Sequence, residues 1–444
     1  MEVSLLDILA AREARVRKQE QLLGQYGKVL ICFTMNIAGP QKNSPLITAG
    51  FQLGQKMLQD RLKPEYEEEN IAATGCEYYC IVDGDPRAVK QLTARIEDET
   101  PIGRLFDMDV ILPDGSKISR EQLELPPRRC LLCAGEARVC GRSRAHGLQA
   151  LQAETHRLLA EGLASADIGR KAVQALVCEV ETTPKPGLVD QNNCGSHKDM
   201  DLDMFLGSAA ALEPYFTACA RIGMETADRS PTETFALLRS EGLAAEQVML
   251  KQTGGVNTHK GAIFTLGLLC GAAGRLTSRD PVQLLAEVKA MTNGLCARDF
   301  AGLTPENAFT AGQKLYVHHG ITGARGQAEA GFPVLLQIGL PVLETGLAQG
   351  ISMNDAGCAC LLQLLCATDD TNMITRGGLN NFRAVQKQIS HLLAQTPYPA
   401  AETLEQLDRE FILQNLSPGG TADLLAATYF LYFLKQRKEY PYES

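Results

Sequence analysis

The sequence has no long hydrophobic run, no excess of positive charge, no low-complexity tract and no internal repeat. Its longest charge-free apolar run, Gly261 to Gly274, is half small residues and too short to span a bilayer, so it reads as a core helix. That argues against a membrane partner. A net charge of -9 argues against broad nucleic-acid binding, while leaving room for a local basic site that takes a phosphorylated small molecule. The Met-Glu-Val-Ser start lacks a basic region followed by an apolar one, which predicts no secretory leader. The 14 cysteines are scattered rather than evenly framed, in a chain too long to need disulfide staples, so the expected compartment is a reducing cytoplasm.

What is present suggests two domains. At 444 residues the chain exceeds the size at which a single core stops growing. The runs "KVLICFTMNI", "CEYYCIVDG" and "LFDMDVILPDG" have strand character, and "DPRAVKQLTARIEDE" between the last two has helical spacing with Pro in its first turn. They predict a β-α-β element and an α+β domain with a mixed sheet over 1–160, preceded by an amphipathic helix in "SLLDILAAREARVRKQEQLL". From about His146 the strand signals fade, and apolar residues recur three and four apart, as in Phe205, Ala209, Leu212 and Phe216. The expectation for 161–444 is an all-α domain. No Pro/Ser-rich linker separates the halves, so the boundary, near 155–170, is expected inside a helix.

Three features of the first half carry chemistry. Asp107 and Asp109 lie two apart on an expected strand, so alternation puts both carboxylates on one face, where they can share Mg²⁺ beside a nucleoside phosphate. The alternative is two solvated aspartates. Cys130, Cys133, Cys140 and His146 supply the donors of a tetrahedral Cys₃His zinc site, although the spacing matches no familiar zinc module and a reduced cysteine cluster is the competing reading. Arg128, Arg129, Arg138, Arg142 and Arg144 surround that loop, and guanidinium forks suit phosphate oxygens.

In the second half, "EVETTPKPGLVDQNNCGSHKDMDLDMF" gathers Lys185, Asp190, Asn192, Asn193, His197 and Asp199 in one long loop. "TGGVNTHKGAIF" places two glycines, Asn257, Thr258, His259 and Lys260 before an apolar helix. Unpaired amides and the helix dipole there favour an anion. The spacing matches neither Walker A nor the dinucleotide fingerprint, and a plain capped helix start is the bland reading. "HHGITGARGQAEAGF" adds His319, Arg325 and Glu329, "ATDDTNMITRGG" adds Asp369, Asp370, Asn372 and Arg376, and "SPGGTADLL" sets Asp423 at the start of another apolar helix. Four such loops, together with the helix start at Asp423, brought to one mouth would suit a Mg²⁺-nucleotide.

These motifs carry a resemblance. "NIAGPQKNSPLI", "TGCEYYCIVDGDPRAVK", "GRLFDMDV" and "RRCLLCAGEARVCGRSRAH" resemble the citrate lyase prosthetic-group transferase, over about residues 1–155. "ETTPKPGLVDQNNCGSHKDM", "GGVNTHKGAIF", "HHGITGARGQAEAGF" and "DDTNMITRGG" resemble triphosphoribosyl-dephospho-CoA synthase, over about 165–440. The resemblance implies a nucleotidyltransferase-like first domain and a helical synthase domain that act in sequence. ATP and 3′-dephospho-CoA would yield 2′-(5″-triphosphoribosyl)-3′-dephospho-CoA and adenine. The phosphoribosyl-dephospho-CoA group would then pass to a serine of the citrate lyase acyl carrier (gamma) subunit, with release of pyrophosphate. On that reading Asp190 and Asp199 are the first candidates for the glycosyl transfer, with Glu329 and Asp370 as base or metal candidates. Lys185, His259, Lys260 and Arg325 would hold the triphosphate, joined by His197, Asn257 and Arg376. Asp107 and Asp109 would hold Mg²⁺, with Lys42, Arg104 and Arg129 on phosphates. Two other readings use the same residues: a glycohydrolase-like helical hydrolase fused to a nucleotidyltransferase, and a zinc-stabilised scaffold that binds a carrier protein.

Overall fold

The computed structural model describes residues 3–436. The chain forms two compact units that divide between Ala164 and Ser165. The first contains α1 (Leu5–Tyr26), β1 (Val29–Met35), α2 (Pro45–Gln59), β2 (Tyr66–Ala72), β3 (Gly75–Val82), α3 (Pro86–Glu99), β4 (Phe106–Ile111) and α4 (Ala137–Ser143). It also contains the beginning of α5 (Leu148–Glu181), the helix in which the division falls.

The four strands make one sheet in the order β2-β3-β1-β4, and every hydrogen-bonded pair is antiparallel. This corrects the expected mixed sheet. The β3-α3-β4 element does form and its two strands run in the same direction. However, β1 lies between them, antiparallel to both, so no parallel pair exists among the described residues. The α3 helix starts where its residues dictate: the Asp85 side chain accepts the Ala88 N–H at 3.0 Å and Pro86 occupies the first turn.

Alternation along the strands divides the sheet's side chains between two faces. Ile31, Phe33, Tyr78, Cys80, Phe106, Met108 and Val110 share a core with Ile47 and Phe51 of α2, Val89 and Ile96 of α3, and Leu158 and Leu159 of α5. Phe33 stacks on Phe51 at 4.9 Å and meets Phe106 edge-on at 5.3 Å, and truncating such a buried ring costs about 3–5 kcal/mol. Leu30, Cys32, Tyr79, Ile81 and Ile111 face the other way, against Leu22 and Leu23 of α1. The amphipathic reading of α1 holds for this end only, because Leu5, Leu6, Leu9 and Val16 are exposed.

From Ser165 onward the chain is helical. The end of α5 leads to α6 (Leu202–Ala211), α7 (Glu213–Glu225), α8 (Pro231–Gln252), α9 (Lys260–Arg275), α10 (Pro281–Met291), α11 (Leu295–Asp299) and α12 (Ala311–His319). Then come α13 (Gly323–Glu329), α14 (Leu340–Ala348), α15 (Met353–Ala367), α16 (Thr371–Gly377), α17 (Leu379–Gln395), α18 (Ala401–Leu413) and α19 (Gly419–Lys435). The stripe at 205, 209, 212 and 216 is shared by two helices, since α7 restarts at Glu213 with Pro214 in its first turn. Ala209, Leu212 and Phe216 are buried.

The apolar run Gly261–Gly274 is the core of α9, buried from Ala262 to Gly274 on nearly all sides. Its small residues have a packing reason. A Cβ on Gly274 would overlap the Ala220 carbonyl oxygen of α7, and one on Gly223 of α7 would overlap the Gly271 carbonyl oxygen. The two helices therefore approach at backbone distance. No helix among the described residues is long and apolar enough to cross a membrane.

Candidate functional site

Five segments of the helical unit meet at a cleft of about 270 Å³. Glu179 comes from the end of α5, Lys185, His197 and Asp199 from the loop that follows, and Asn257, Thr258, His259 and Lys260 from the start of α9. Asn372 and Arg376 come from α16, and Ser417, Gly419 and Asp423 from the approach to and first turns of α19.

Lys185 is fully buried. Its ammonium donates to the Glu179 carboxylate at 2.5 Å and to the Glu179 carbonyl at 2.6 Å. A buried ion pair of this kind persists only because each charge has the other. Burial pushes the Glu179 carboxyl up, against the opposing pull of Lys185. Among the described residues Asp423 has no such partner. Burial, reinforced by the charges of Glu179 and Asp370, holds its carboxyl well above the ordinary 3.8, with only the Ala262 N–H in the first turn of α9 pulling the other way. The close seat against α9 depends on Gly261, where a Cβ would overlap Asp423 Oδ2.

His259 is buried, with Nδ1 2.9 Å from Ser208 Oγ and its backbone N–H on the Met249 sulfur. Ser208 in turn accepts from the Thr258 hydroxyl at 2.8 Å. His259 Nε2 is buried with no hydrogen-bond partner among the described residues. Burial and the Lys185 charge lower its pKa to about 3, so the ring is neutral and brings one unsatisfied nitrogen to a ligand cleft. His197 places Nε2 2.8 Å from Ser417 Oγ, and Arg376 approaches its Nδ1 at 3.4 Å. Burial and the Arg376 charge also lower the pKa of this ring. Arg376 is anchored on the Ser196 carbonyl at 3.1 Å and on Asn415 at 3.3 Å. Two neutral imidazoles, a buried cation, an arginine and a carboxylate that favours its proton make a site for an anionic ligand with a hydroxyl to deprotonate.

Lys260 and Gly261 also border a second cavity, of about 340 Å³. Its walls are apolar, including Tyr215, Phe235, Leu238, Ile263 and Phe264. Its rim carries Arg239 and Arg325, both paired with Asp299 at 2.7 Å.

In the first unit, strand register sets Glu77, Thr34 and Asp107 in one row across β3, β1 and β4, and Tyr79, Cys32 and Asp109 in the next. Three acids therefore share the face on which α1 packs. Each has its own cation: Arg15 lies 2.7 Å from Glu77, Arg128 3.1 Å from Asp107 and Lys117 2.6 Å from Asp109. Burial raises the Asp107 carboxyl, and Arg128 opposes it. Arg128 also donates to the Phe106 carbonyl, and Arg104 to the Cys130 carbonyl. The ligand atoms of Cys130, Cys133, Cys140 and His146 all lie within 4.8 Å of one another.

Comparison with known proteins agrees with this division. Residues 165–441 match the CitG family, described as ATP:dephospho-CoA triphosphoribosyl transferase, and residues 3–162 match the CitX family, apo-citrate lyase phosphoribosyl-dephospho-CoA transferase. The chain is 37% identical over 452 residues to Protein CitXG of Haemophilus influenzae, with 96% of each covered. It is 32% identical over 462 residues to Protein CitXG of Leuconostoc mesenteroides subsp. cremoris, with 97% of each covered. A synthase of Pectobacterium atrosepticum, 2-(5''-triphosphoribosyl)-3'-dephosphocoenzyme-A synthase, is 43% identical over 270 residues, 60% of this chain and 88% of that protein. The chain belongs to both families. It is a bifunctional transferase of citrate lyase prosthetic-group biosynthesis, with its CitX part first and its CitG part second.

The CitG cleft gathers Lys185, His197, Asp199, Asn257, His259, Lys260 and Arg376, all named from the sequence. Other candidates stand elsewhere. Asp190 staples its own loop: Oδ2 accepts from Lys185 N, and Oδ1 accepts from Asn192 N and Asn193 N. Asp370 caps α16 through Asn372 N and Met373 N and receives both the N–H and the hydroxyl of Thr421, so its carboxylate is fully occupied. Glu329 accepts the Cys296 N–H at 3.2 Å, away from the cleft, and Arg325 serves the second cavity. His259, with its pKa lowered to about 3, reaches the cleft as a neutral ring, so what it offers a phosphate there is a hydrogen bond. Lys260 holds Glu246 at 2.8 Å at the cleft's edge.

On the CitX face Asp107 and Asp109 do share one side. Arg129 is exposed, and Lys42 donates to the Ile37 carbonyl at 2.6 Å while pairing with no carboxylate among the described residues. Burial lowers the pKa of Lys42, as does Arg12. Sequence reasoning missed Glu179 and Glu77 and left Asp423 as a helix start. The available signal for Glu179 was an acid among Leu176, Val177 and Val180 on one apolar helix.

Proposed function

We propose that the CitG part joins ATP to 3′-dephospho-CoA and that the CitX part transfers the product to citrate lyase. In the first reaction the 2′-hydroxyl oxygen of dephospho-CoA bonds to C1′ of the ATP ribose. The C1′–N9 bond breaks with its electron pair going to adenine, and the triphosphate stays on the ribose. Asp423 is the group assigned to take the hydroxyl proton, since its environment already favours the protonated form. Glu179 positions Lys185, and Lys185, Arg376 and the amides at the start of α9 face the phosphates. His259 Nε2 supplies a neutral hydrogen bond. The single observation that carries this reading is the seat of Asp423 beside an unsatisfied imidazole and a buried lysine in one cleft.

Mg²⁺ bound with ATP would neutralise triphosphate charge. Asp199 fits it, as a cleft carboxylate with no cation partner among the described residues, whereas the occupied carboxylate of Asp370 does not. The apolar cavity beyond Lys260 and Gly261 suits the pantetheine arm of dephospho-CoA, with Arg239 and Arg325 at its rim for phosphate.

In the second reaction the serine oxygen of the acyl carrier subunit bonds to the α-phosphorus, and the bond to pyrophosphate breaks. Asp107 and Asp109 are assigned to Mg²⁺ there, with Arg104, Arg128 and Arg129 toward phosphate. The nucleotidyltransferase-like character of the first domain belongs to this proposal, as does a cytoplasmic setting, which suits 14 unbridged cysteines.

The deciding experiment is mass spectrometry of apo carrier subunit incubated with the protein, ATP, Mg²⁺ and dephospho-CoA. A gain matching phosphoribosyl-dephospho-CoA, with adenine released only when dephospho-CoA is present, is the expected result. Adenine release without dephospho-CoA favours the hydrolase reading instead.

A further inference from the structure

One segment of the CitX part, residues 128–146, folds almost without a core. Helix α4 in it buries no side chain, and Val139 and Leu132 are exposed. The rest is a narrow hairpin in which the backbones of Arg129 and Glu136 pair in an antiparallel β-bridge, Cys130 N donates to the Gly135 carbonyl at 2.7 Å, and Ala137 N donates to the Arg128 carbonyl at 2.8 Å. A two-stranded hairpin and a two-turn helix are not stable in water by themselves. Some interaction other than apolar burial must join them.

The side chains that converge are the four with soft-metal donors. Cys130 and Cys133 sit at the hairpin tip, Cys140 on α4 and His146 just beyond it, each offering one atom within 4.8 Å of the others. The Cys133 and Cys140 sulfurs are 3.6 Å apart. That is far beyond a disulfide bond and close to the spacing of about 3.8 Å between sulfurs on a tetrahedral ion with Zn–S bonds of about 2.3 Å. His146 Nε2 is buried with no hydrogen-bond partner among the described residues, a costly arrangement for a nitrogen without a ligand. The Leu132 N–H points at Cys130 Sγ at 3.5 Å, the amide support that ligating sulfurs receive.

We propose that Cys130, Cys133, Cys140 and His146 bind one Zn²⁺, and that the ion folds this segment and positions the arginines of the CitX face. Three thiolates and one imidazole close the coordination sphere, so the ion has no open position and its role is structural. The path to the reacting face is short. Arg128 and Arg129 immediately precede Cys130, Arg104 donates to the Cys130 carbonyl, and Arg128 pairs with Asp107. The positioning role rests on the transferase reading, whereas the metal site does not.

The test uses the full chain, purified under reducing conditions without chelator. Elemental analysis should find one zinc per chain, and after zinc removal Co²⁺ should give the absorption bands of a tetrahedral thiolate site. Cys140→Ser and His146→Ala should each lose most of the bound zinc. Substoichiometric zinc together with no cobalt spectrum in the unsubstituted protein overturns the site, and that measurement stands even if the variants fail to fold. Zinc removal should also lower transfer to the carrier about 10-fold or more, leave adenine release unchanged, and be reversed by zinc. Full transfer activity in zinc-free protein overturns the positioning role. A zinc-loaded protein that never transfers the group sinks the transferase reading while leaving the metal site in place.

Discussion

The acids of the CitG cleft and those of the CitX sheet face differ in how their charge is met. In the cleft, Glu179 holds the one buried lysine, and Asp423 is left with a helix N–H and two neighbouring negative charges. On the sheet face, Glu77, Asp107 and Asp109 each have a separate cation. An uncompensated carboxylate in a desolvated cleft favours its proton and is suited to moving one. A carboxylate that meets a guanidinium or ammonium has its charge opposed locally, as Arg128 does at Asp107 against the effect of burial. On the proposed reading, a carboxylate moves a proton in one half and places charge in the other.

The strongest way to break the comparison is to substitute each acid in turn. Asp423→Asn should lower adenine release by about 10²–10⁴-fold, the range for a lost general base, with transfer of supplied triphosphoribosyl intermediate unchanged. Chromatographic assay of adenine checks it, and a loss below about threefold would remove Asp423 as the base. Asp107→Asn with Asp109→Asn should do the reverse, lowering carrier labelling by about 10²-fold or more while adenine release continues.

Next comes Gly261→Ala, whose new methyl must displace the Asp423 carboxylate. It should cost about 1–3 kcal/mol of stability and lower adenine release at least about 10-fold. A variant as active as the parent would show that the seat of Asp423 is unimportant. Gly242→Leu tests the second cavity, since residue 242 lines it and a Cβ there meets only the Tyr215 hydroxyl at 3.4 Å and Ile263 Cγ2 at 3.9 Å, both ordinary contacts. It should raise KM for dephospho-CoA about 10-fold and leave KM for ATP within about twofold.

The pH dependence gives the smallest and most discriminating effect. Asp423 has a folded carboxyl value above 3.8, so the fold favours its protonated form. That contribution to stability is fully present below 3.8 and is lost as pH rises through the folded value. Asp423→Asn should therefore melt at a higher temperature than the parent near pH about 7, and the difference should vanish on acidification. Adenine release by the parent should rise over the range in which this stability is lost, because the base must be ionised to act. A melting difference that does not change with pH would contradict the raised carboxyl.

Much of this was legible in local pattern. Runs rich in β-branched, aromatic and other apolar residues locate β1, β3 and β4, helical spacing locates α3, and Pro86 and Asp85 mark the start of α3. Polar, glycine-bearing stretches before apolar helices marked the α9 and α16 contributions to the cleft. Less legible was which polar groups are used internally. Asp190 and Asp370 look like cleft acids in one dimension, but they satisfy backbone N–H groups of their own loops and of Thr421, a partner 51 residues away from Asp370. Glu179 and Lys185 lie six residues apart, yet only the turn after α5 makes them a buried pair.

The two textures, the α9 helix with its polar start, the family and the Cys₃His donor set are all written in the linear order of residues. These rest on residue type and short spacing, which the chain carries wherever it folds. Tertiary structure alone decided that β1 enters between β3 and β4 and removes any parallel pairing. It alone brought Asp423 to the start of α9, some 160 residues earlier in the chain, with Gly261 leaving room for it. It also buried the His259 ring beside Lys185, which makes it neutral. The physical reason is the same in each case: burial and long-range neighbours set strand order, contact and protonation, and neither can be read from a residue and its next few neighbours.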